Sequence, residues 1–338
     1  MDIINNSNIY KKYRVIKLIG KGGFSSVYLI EPKDVNTKKP IQFALKYLRV
    51  ENKENEEVTR NRFRQEIQVL KKIKSRGVVQ YIDDYERHDE MYLIMEYVSG
   101  DSLRDVITSS GRLAPYKAIM FMKQICEAIH ELHSLDIIHR DLKSSNILVT
   151  DNAVNGAKQI KIIDFGLSLE PDSQRYTREN SVIGTVLYLA PELTVKNGVP
   201  SKKTDIYALG ILFYEMLTGK YPFRGETPLQ TMQMQRKDKF PDITKIVDIN
   251  YAVANIMYKA CAKDPEKRYL SVYEMHRDLS SALDPKRAFE VPLDEQKIKP
   301  KKTRFSWIDS KWFLISSIVI LALIMIAGII AIFIYIRG

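Results

Sequence analysis

The stretch Ile138–Val149, IHRDLKSSNILV, followed by Ile163-Asp164-Phe165-Gly166, decides the fold. Within six residues it sets a carboxylate (Asp141), an ammonium (Lys143) and an amide (Asn146), directly after a long helical run. Eighteen residues past Asn146 comes Asp164. Asn146 and Asp164 together offer oxygen ligands for a hard cation. Mg²⁺ takes one or two such protein ligands and fills the rest of its shell with phosphate oxygens and water.

Working outward towards the N-terminus, Gly20-Lys21-Gly22-Gly23-Phe24-Ser25-Ser26-Val27 lies between two strand-like runs, YRVIKLIG and SVYLIEP. Glycines let a backbone pass close over a polyphosphate and aim its N–H groups at the oxygens. The same pattern also occurs in ordinary turns. A dinucleotide-binding loop needs a helix after its glycines, and here a strand follows; the Walker A pattern is absent. Nineteen residues past Val27, Lys46 closes the apolar run Phe43-Ala44-Leu45. A lysine there is costly to bury unless paired. Glu66 is its partner, on the run 60–75 that carries Phe63, Ile67 and Leu70 at helical spacing. Taken alone, that pairing reads as a structural ion pair as readily as a catalytic one.

Up to about Tyr97 the chain reads as short strands with one helix. After Gly100 it turns helical, with the long periodic runs APYKAIMFMKQICEAIHELHSLD and DIYALGILFYEMLTG. The expected fold is α+β: a β-rich lobe over about 13–98, a helical lobe over about 99–285, and a cleft where they join. Residues 1–12 read as a tail.

In this order, the glycine-rich loop, Lys46, Glu66, the run from His139 to Asn146, Asp164-Phe165-Gly166 and Ala190-Pro191-Glu192 resemble the eukaryotic-type Ser/Thr protein kinase family. The likeness covers about 265 residues. It is closest to bacterial membrane-anchored Ser/Thr kinases with a PASTA-kinase type catalytic domain, here without extracellular repeats. The resemblance implies a bilobal protein kinase fold, ATP as phosphoryl donor, Mg²⁺ or Mn²⁺ as cofactor, and proteins bearing Ser or Thr as substrates. It also implies a homodimer paired through the N-lobe.

Residue by residue, the resemblance gives Lys46 the α- and β-phosphates, with Glu66 fixing its position. Asp141 is then the proton acceptor, Lys143 steadies the transferred phosphoryl group, and Asn146 and Asp164 ligate the metal. Gly20, Gly22 and Gly23 cover the phosphates. Ser25 stands where the family carries a third glycine. The adenine lies between Ile19, Val27 and Ala44 above and Leu148 below, with Met95 as gatekeeper and Glu96, Tyr97 and Val98 as hinge. Asp205 heads the helix that anchors the catalytic loop, and Arg268 pairs with Glu192. Lys143 after Asp141, and Thr185 in the substrate loop GTVLYLAPE, follow the Ser/Thr pattern rather than the tyrosine one. Arg140 calls for an anion from the activation loop. Thr177, eight residues before Thr185, is the first candidate for autophosphorylation and Ser181 another. An active enzyme and a catalytically silent binding module are told apart by Lys46, Asp141, Asn146 and Asp164, and all four are present.

The formal charge of +11 first points to nucleic acid or an anionic surface as partner. Yet the linker 286–311 alone holds eight basic and four acidic residues, and no nucleic-acid motif accompanies the rest. Nucleic acid is therefore not an expected partner. From Trp312 to Ile336 run 25 residues without a charge. As a helix they would span about 37 Å, enough to cross a bilayer core. The basic flank places the N-terminal side in the cytoplasm. The expectation is a cell-membrane protein with one span at 312–336, a cytoplasmic catalytic domain and residues 337–338 outside. The linker would also lie against anionic headgroups or serve as a solvated spacer. Cys126 and Cys261 sit in apolar helical patterns and read as core residues, and His130 and His133 lack the further ligands of a metal site.

Overall fold

Five β-rich runs pair into one antiparallel sheet: β1 (Tyr13–Lys21), β2 (Ser25–Pro32), β3 (Phe43–Leu48), β4 (Tyr81–Glu86) and β5 (Met91–Glu96), in the order β1-β2-β3-β5-β4. The computed structural model describes residues 3, 6–22, 24–34, 41–49, 56–87, 90–150, 158–164, 182–293 and 325. Alternate side chains of a strand face opposite ways, and the sheet uses both faces. Ala44, Leu48, Met91, Leu93 and Met95 face helix α2 (Glu56–Lys72), whose Phe63, Ile67 and Leu70 close that side. Tyr28, Ile30, Leu45, Tyr47, Tyr92 and Ile94 form a second cluster on the other side. Helix α2 begins four residues before the expected stretch, with Glu56 and Glu57 in its first turn where the helix dipole favours acid.

The first residues are more than a tail. Ile3 and Ile9 are buried in the second cluster, and Ile9 opens a short helix, α1 (Ile9–Lys12). Ser7 Oγ donates to the buried Glu90 carboxylate, and the Asn8 N–H donates to its other oxygen at 3.1 Å. The sheet's outer face is apolar and aromatic, so it needs a cover, and the N-terminal segment supplies part of one.

Beyond Gly100 the chain forms β6 (Gly100–Ser102), α3 (Leu103–Ser110), α4 (Pro115–Ser134), β7 (Ile147–Thr150), β8 (Ile160–Ile162), α5 (Val182–Val186), α6 (Lys202–Thr218), α7 (Pro228–Lys237), α8 (Tyr251–Ala260) and α9 (Val272–Ser280). Strands β6, β7 and β8 make a small antiparallel sheet. Both long helical runs seen in the sequence are helices. Helix α6 is buried from Thr204 to Thr218, on every face, which its nearly uninterrupted apolar sequence permits. Gly210 lets α6 approach α8, since a Cβ there would lie 2.5 Å from Cys261 Sγ. Cys126 and Cys261 are buried, as their helical patterns suggest.

By contact the chain divides into two units, Met1–Ile298 and Lys299–Gly338. Of the apolar run 312–336 only Met325 is described, as helical, so the expected span lies outside the described residues. Among the described residues no helix is long and apolar enough to cross a membrane.

Candidate active site

The register of β1, β2, β3 and β5 arranges one side of the site. Gly20 pairs with Val27, Val27 with Lys46, and Ala44 with Met95. Val27, Ala44, Met95 and Val98 share one apolar cluster, while Ile19 stays exposed at the sheet's edge strand and Leu148 is half-buried on β7. The β1–β2 turn is closed by the Gly22 N–H donating to Ser25 O at 2.8 Å, and Arg49 Nη2 donates to Gly22 O. The residue standing for a third glycine thus contributes its carbonyl to the turn. Gly23 lies outside the described residues.

Lys46 Nζ donates to Glu66 Oε1 at 2.6 Å and to Asp164 Oδ1 at 2.7 Å. One ammonium from β3 is therefore held between α2 and the segment after β8. Burial works against the charge on Lys46, but the Asp164 and Glu66 carboxylates outweigh it and hold its pKa above the usual lysine value. Burial pushes Glu66 up to about 7; Lys46 opposes that rise and Asp164 adds to it. Enclosure in the cleft also works upward on Asp164, yet Lys46 beside it keeps that carboxyl below its ordinary value. Two carboxylates against one ammonium leave a negative charge to be matched.

The other side is built by the catalytic-loop stretch. Asp205, at the start of α6 and wholly buried, accepts the His139 N–H at 2.9 Å, the Arg140 N–H at 3.0 Å and His133 Nε2 at 2.8 Å. These bonds hold Arg140 in the left-handed region, at φ 70°, which a non-glycine residue adopts only under such constraint. Burial lowers the pKa of His139, so its imidazole is neutral, and its Nδ1 accepts the Asp141 N–H at 3.3 Å.

Around Asp141 three polar side chains meet. Its Oδ2 accepts from Lys143 Nζ at 2.7 Å and from Asn146 Nδ2 at 3.0 Å. Its Oδ1 accepts from Thr185 Oγ1 at 3.3 Å, and Lys143 Nζ reaches the same Thr185 oxygen at 3.3 Å. With Nδ2 turned to Asp141, the Asn146 Oδ1 has among the described residues only the Ser145 hydroxyl, at 3.5 Å. Asn146 Oδ1, the Asp164 carboxylate and the residual negative charge are a donor set of hard oxygens that fits Mg²⁺. Further on, Arg268 grips Glu192 with Nη1–Oε1 and Nη2–Oε2 distances both 2.7 Å.

The structure thus brings Lys46, Glu66 and Asp164 together, and likewise Asp141, Lys143, Asn146 and Thr185. Thr177, Ser181 and Phe165 lie outside the described residues. Two features escaped the sequence reading. Glu96 acts through its side chain: its Oε2 accepts the Gln80 N–H at 3.1 Å and Lys161 Nζ at 2.7 Å, tying β5 to β8. A buried carboxylate, Glu215, gathers hydroxyls from three segments. Lys161, three residues before Asp164 and with its charge unassigned, was the one available signal for the first.

Residues 13–278 match the family model described as protein kinase domain. Among curated proteins, the chain is 37% identical over 293 residues to serine/threonine-protein kinase PrkC of Bacillus subtilis, covering 85% of this chain and 44% of that protein. To serine/threonine-protein kinase PknB of Mycolicibacterium smegmatis it is 32% identical over 275 residues, covering 79% and 42%. Among solved structures, Rad53 1-466 in complex with AMP-PNP superposes with a TM-score of 0.66 at 26% identity, covering 81% of this chain and 66% of that one. The chain belongs to the protein kinase family, with the family's bilobal fold. It spans less than half the length of the curated relatives it matches.

Proposed function

We propose that this protein is a serine/threonine protein kinase that transfers the γ-phosphate of ATP to Ser and Thr hydroxyls of proteins. The observation that carries the reading is the convergence on one cleft of Lys46, bonded to Glu66 and Asp164, with Asp141, bonded to Lys143 and Asn146. The names of the bacterial relatives favour Ser/Thr over Tyr as acceptor.

Val27, Ala44, Met95 and Val98 form the apolar ceiling for the adenine, with Ile19 at its rim and Leu148 below. Gly20 and Gly22, with Gly23 by its place in the sequence, would cover the phosphates, and Lys46, steadied by Glu66, would hold them. Asn146 and Asp164 are the residues that would hold Mg²⁺, which when bound neutralises phosphate charge. Asp141 accepts the proton of the incoming hydroxyl; Asn146 Nδ2 and Lys143 fix the direction of its carboxylate. Lys143 is also within reach of the transferring group. The transition state is loose, so positioning and charge neutralisation supply most of the acceleration. Thr185, within hydrogen-bond reach of both Asp141 and Lys143, belongs to the segment on which the substrate lies.

Two finer statements belong to the same reading. The protein is anchored by residues 312–336, with the catalytic domain cytoplasmic and the basic linker at the membrane surface; the uncharged length of that run supports this. Phosphorylation of Thr177, with Ser181 as alternative, activates the enzyme by giving Arg140 an anion. Arg140 Nε is buried without a hydrogen-bond partner among the described residues, which supports such a docking.

The test is incorporation of radiolabel from ATP into protein, wild type against Asp141→Asn. A loss of about a hundredfold or more is expected for a general base; equal incorporation refutes the mechanism. Phosphoamino-acid analysis must return phosphoserine or phosphothreonine, membrane flotation tests the anchor, and full activity with unmodified Thr177 and Ser181 sinks the activation scheme.

A further inference from the structure

Ser144 directly follows Lys143 and is wholly buried. Its Oγ donates to Glu215 Oε1 at 2.9 Å and lies 3.0 Å from Tyr188 OH. The Ser144 N–H reaches that same phenol oxygen at 3.4 Å. Tyr188 OH donates to Glu215 Oε2, and Tyr221 OH donates to Oε1 at 3.0 Å. Every proton has one destination: Ser144, Tyr188 and Tyr221 each give theirs to the Glu215 carboxylate, and the Tyr188 oxygen is left to accept the Ser144 N–H. Tyr221 also packs edge-on against Tyr188, ring centres 5.7 Å apart. Glu215 is 4% exposed, so its carboxylate is saturated from inside and closed to any substrate side chain.

Three segments meet at this carboxylate: the catalytic loop through Ser144, the substrate-side segment through Tyr188, and α6 with the turn after it through Glu215 and Tyr221. The catalytic loop and the substrate-side segment meet a second time at Thr185, which bonds Asp141 and Lys143. One clamp lies at Asp141 and the other in the core, one to three residues along on the catalytic loop and three along on the substrate-side segment. A rigid pair of clamps fixes spacing where a single one permits rocking.

We infer that Ser144 is a positioning residue: through Glu215 and Tyr188 it sets the distance between Lys143 and segment 185–190, and so governs capture of the protein substrate rather than of ATP. The inference rests on the reading that this segment carries the substrate. The adenine ceiling and Lys46 lie on the β-rich side, and among the described residues neither they nor Leu148, Asn146 and Asp164 hydrogen-bond to the side chains of this cluster.

The experiment measures steady-state phosphorylation by the full-length chain, with myelin basic protein as acceptor, in wild type, Ser144→Ala, Ser144→Thr, Tyr188→Phe and the double variant Ser144→Ala/Tyr188→Phe. Ser144→Ala is expected to raise KM for the acceptor about tenfold, the size of one buried hydrogen bond to a charged acceptor, with KM for ATP within about twofold of wild type. Ser144→Thr keeps the hydroxyl and recovers most of the loss. The double variant costs no more than the worse single one, because the two hydroxyls serve one carboxylate. Should Ser144→Ala not fold, Tyr188→Phe must show the same split. Equal changes in both KM values, or strictly additive losses, overturn the inference. Wild-type phosphorylation insensitive to Asp141→Asn would instead sink the kinase reading beneath it.

Discussion

Removing the Glu192 carboxylate should expose how much the Arg268 ion pair contributes. The Arg268 side chain is fully buried, and all five of its N–H donors are engaged: Nε with Ala262 O at 2.8 Å, Nη1 with Glu192 Oε1 at 2.7 Å and Lys203 O at 2.9 Å, and Nη2 with Glu192 Oε2 at 2.7 Å and Lys263 O at 3.3 Å. Its guanidinium also lies over the Tyr207 ring, 4.9 Å from the centroid. Glu192→Ala strips two of these bonds and leaves a buried cation uncompensated, at a cost of about 3–5 kcal/mol. Glu192 itself is 23% exposed, so water softens the loss and the lower figure applies. At about 2–4 °C per kcal/mol for domains of 150–250 residues, Tm falls by roughly 6–12 °C. Differential scanning calorimetry reads the shift directly. The double variant Glu192→Leu/Arg268→Met removes both charges together and should recover at least half of it, since an apolar pair of similar volume carries no desolvation penalty. A Glu192→Ala Tm within about 2 °C of wild type, or a double variant worse than the single one, refutes the argument.

Other outcomes follow from the same kind of reasoning. Glu66, raised to about 7 by burial, must ionise to hold Lys46, so kcat/KM for ATP should climb through an acid limb near pH 7, and Glu66→Gln should remove that limb from the pH–rate profile. Stability runs the other way: a carboxyl whose folded pKa is raised favours the fold when protonated, so its contribution declines as pH rises through about 7, which urea melts at pH 5.5 and 8 would show. Ile9→Ala empties a fully buried site against the sheet and should cost about 2–5 kcal/mol by urea denaturation; a loss below 1 kcal/mol would mean the N-terminal segment does not cover the sheet in solution. Lys161→Ala frees the Glu96 carboxylate from one of its two partners and should weaken ATP binding by isothermal titration without altering the acceptor KM.

What the sequence revealed was whatever follows a period or a fixed local order. The apolar spacing of Phe63, Ile67 and Leu70 marked α2, the nearly all-apolar run from Ile206 marked α6, and the short runs around Gly20 and Lys46 marked adjacent strands. The pairing of Lys46 with Glu66 was legible because an unpaired lysine in an apolar strand demands a partner. The Glu215 cluster was not. Ser144, Tyr188 and the pair Glu215 and Tyr221 come from three separate segments and no spacing relates them; only the packing of α6 against two loops makes them neighbours. Residues 1–12 misled for a related reason. Three Asn and a Ser crowd that stretch, one turn of helix leaves no period to detect, and the burial of Ile3 and Ile9 depends on a face built much later in the chain.

That last dependence has a bearing on how the protein is made. Ser7 and Glu90 are 83 residues apart, and Ile9 packs among side chains that extend to Ile94. At about 5–20 residues per second of synthesis, the segment around Ser7 waits roughly 4–17 s after it is made before its binding surface exists. During that interval Ile3 and Ile9 are open to other company. Ile3 and Ile9 are therefore among the last residues of the β-rich half to find their place, and a change in the segment around them would act on folding at its closing step.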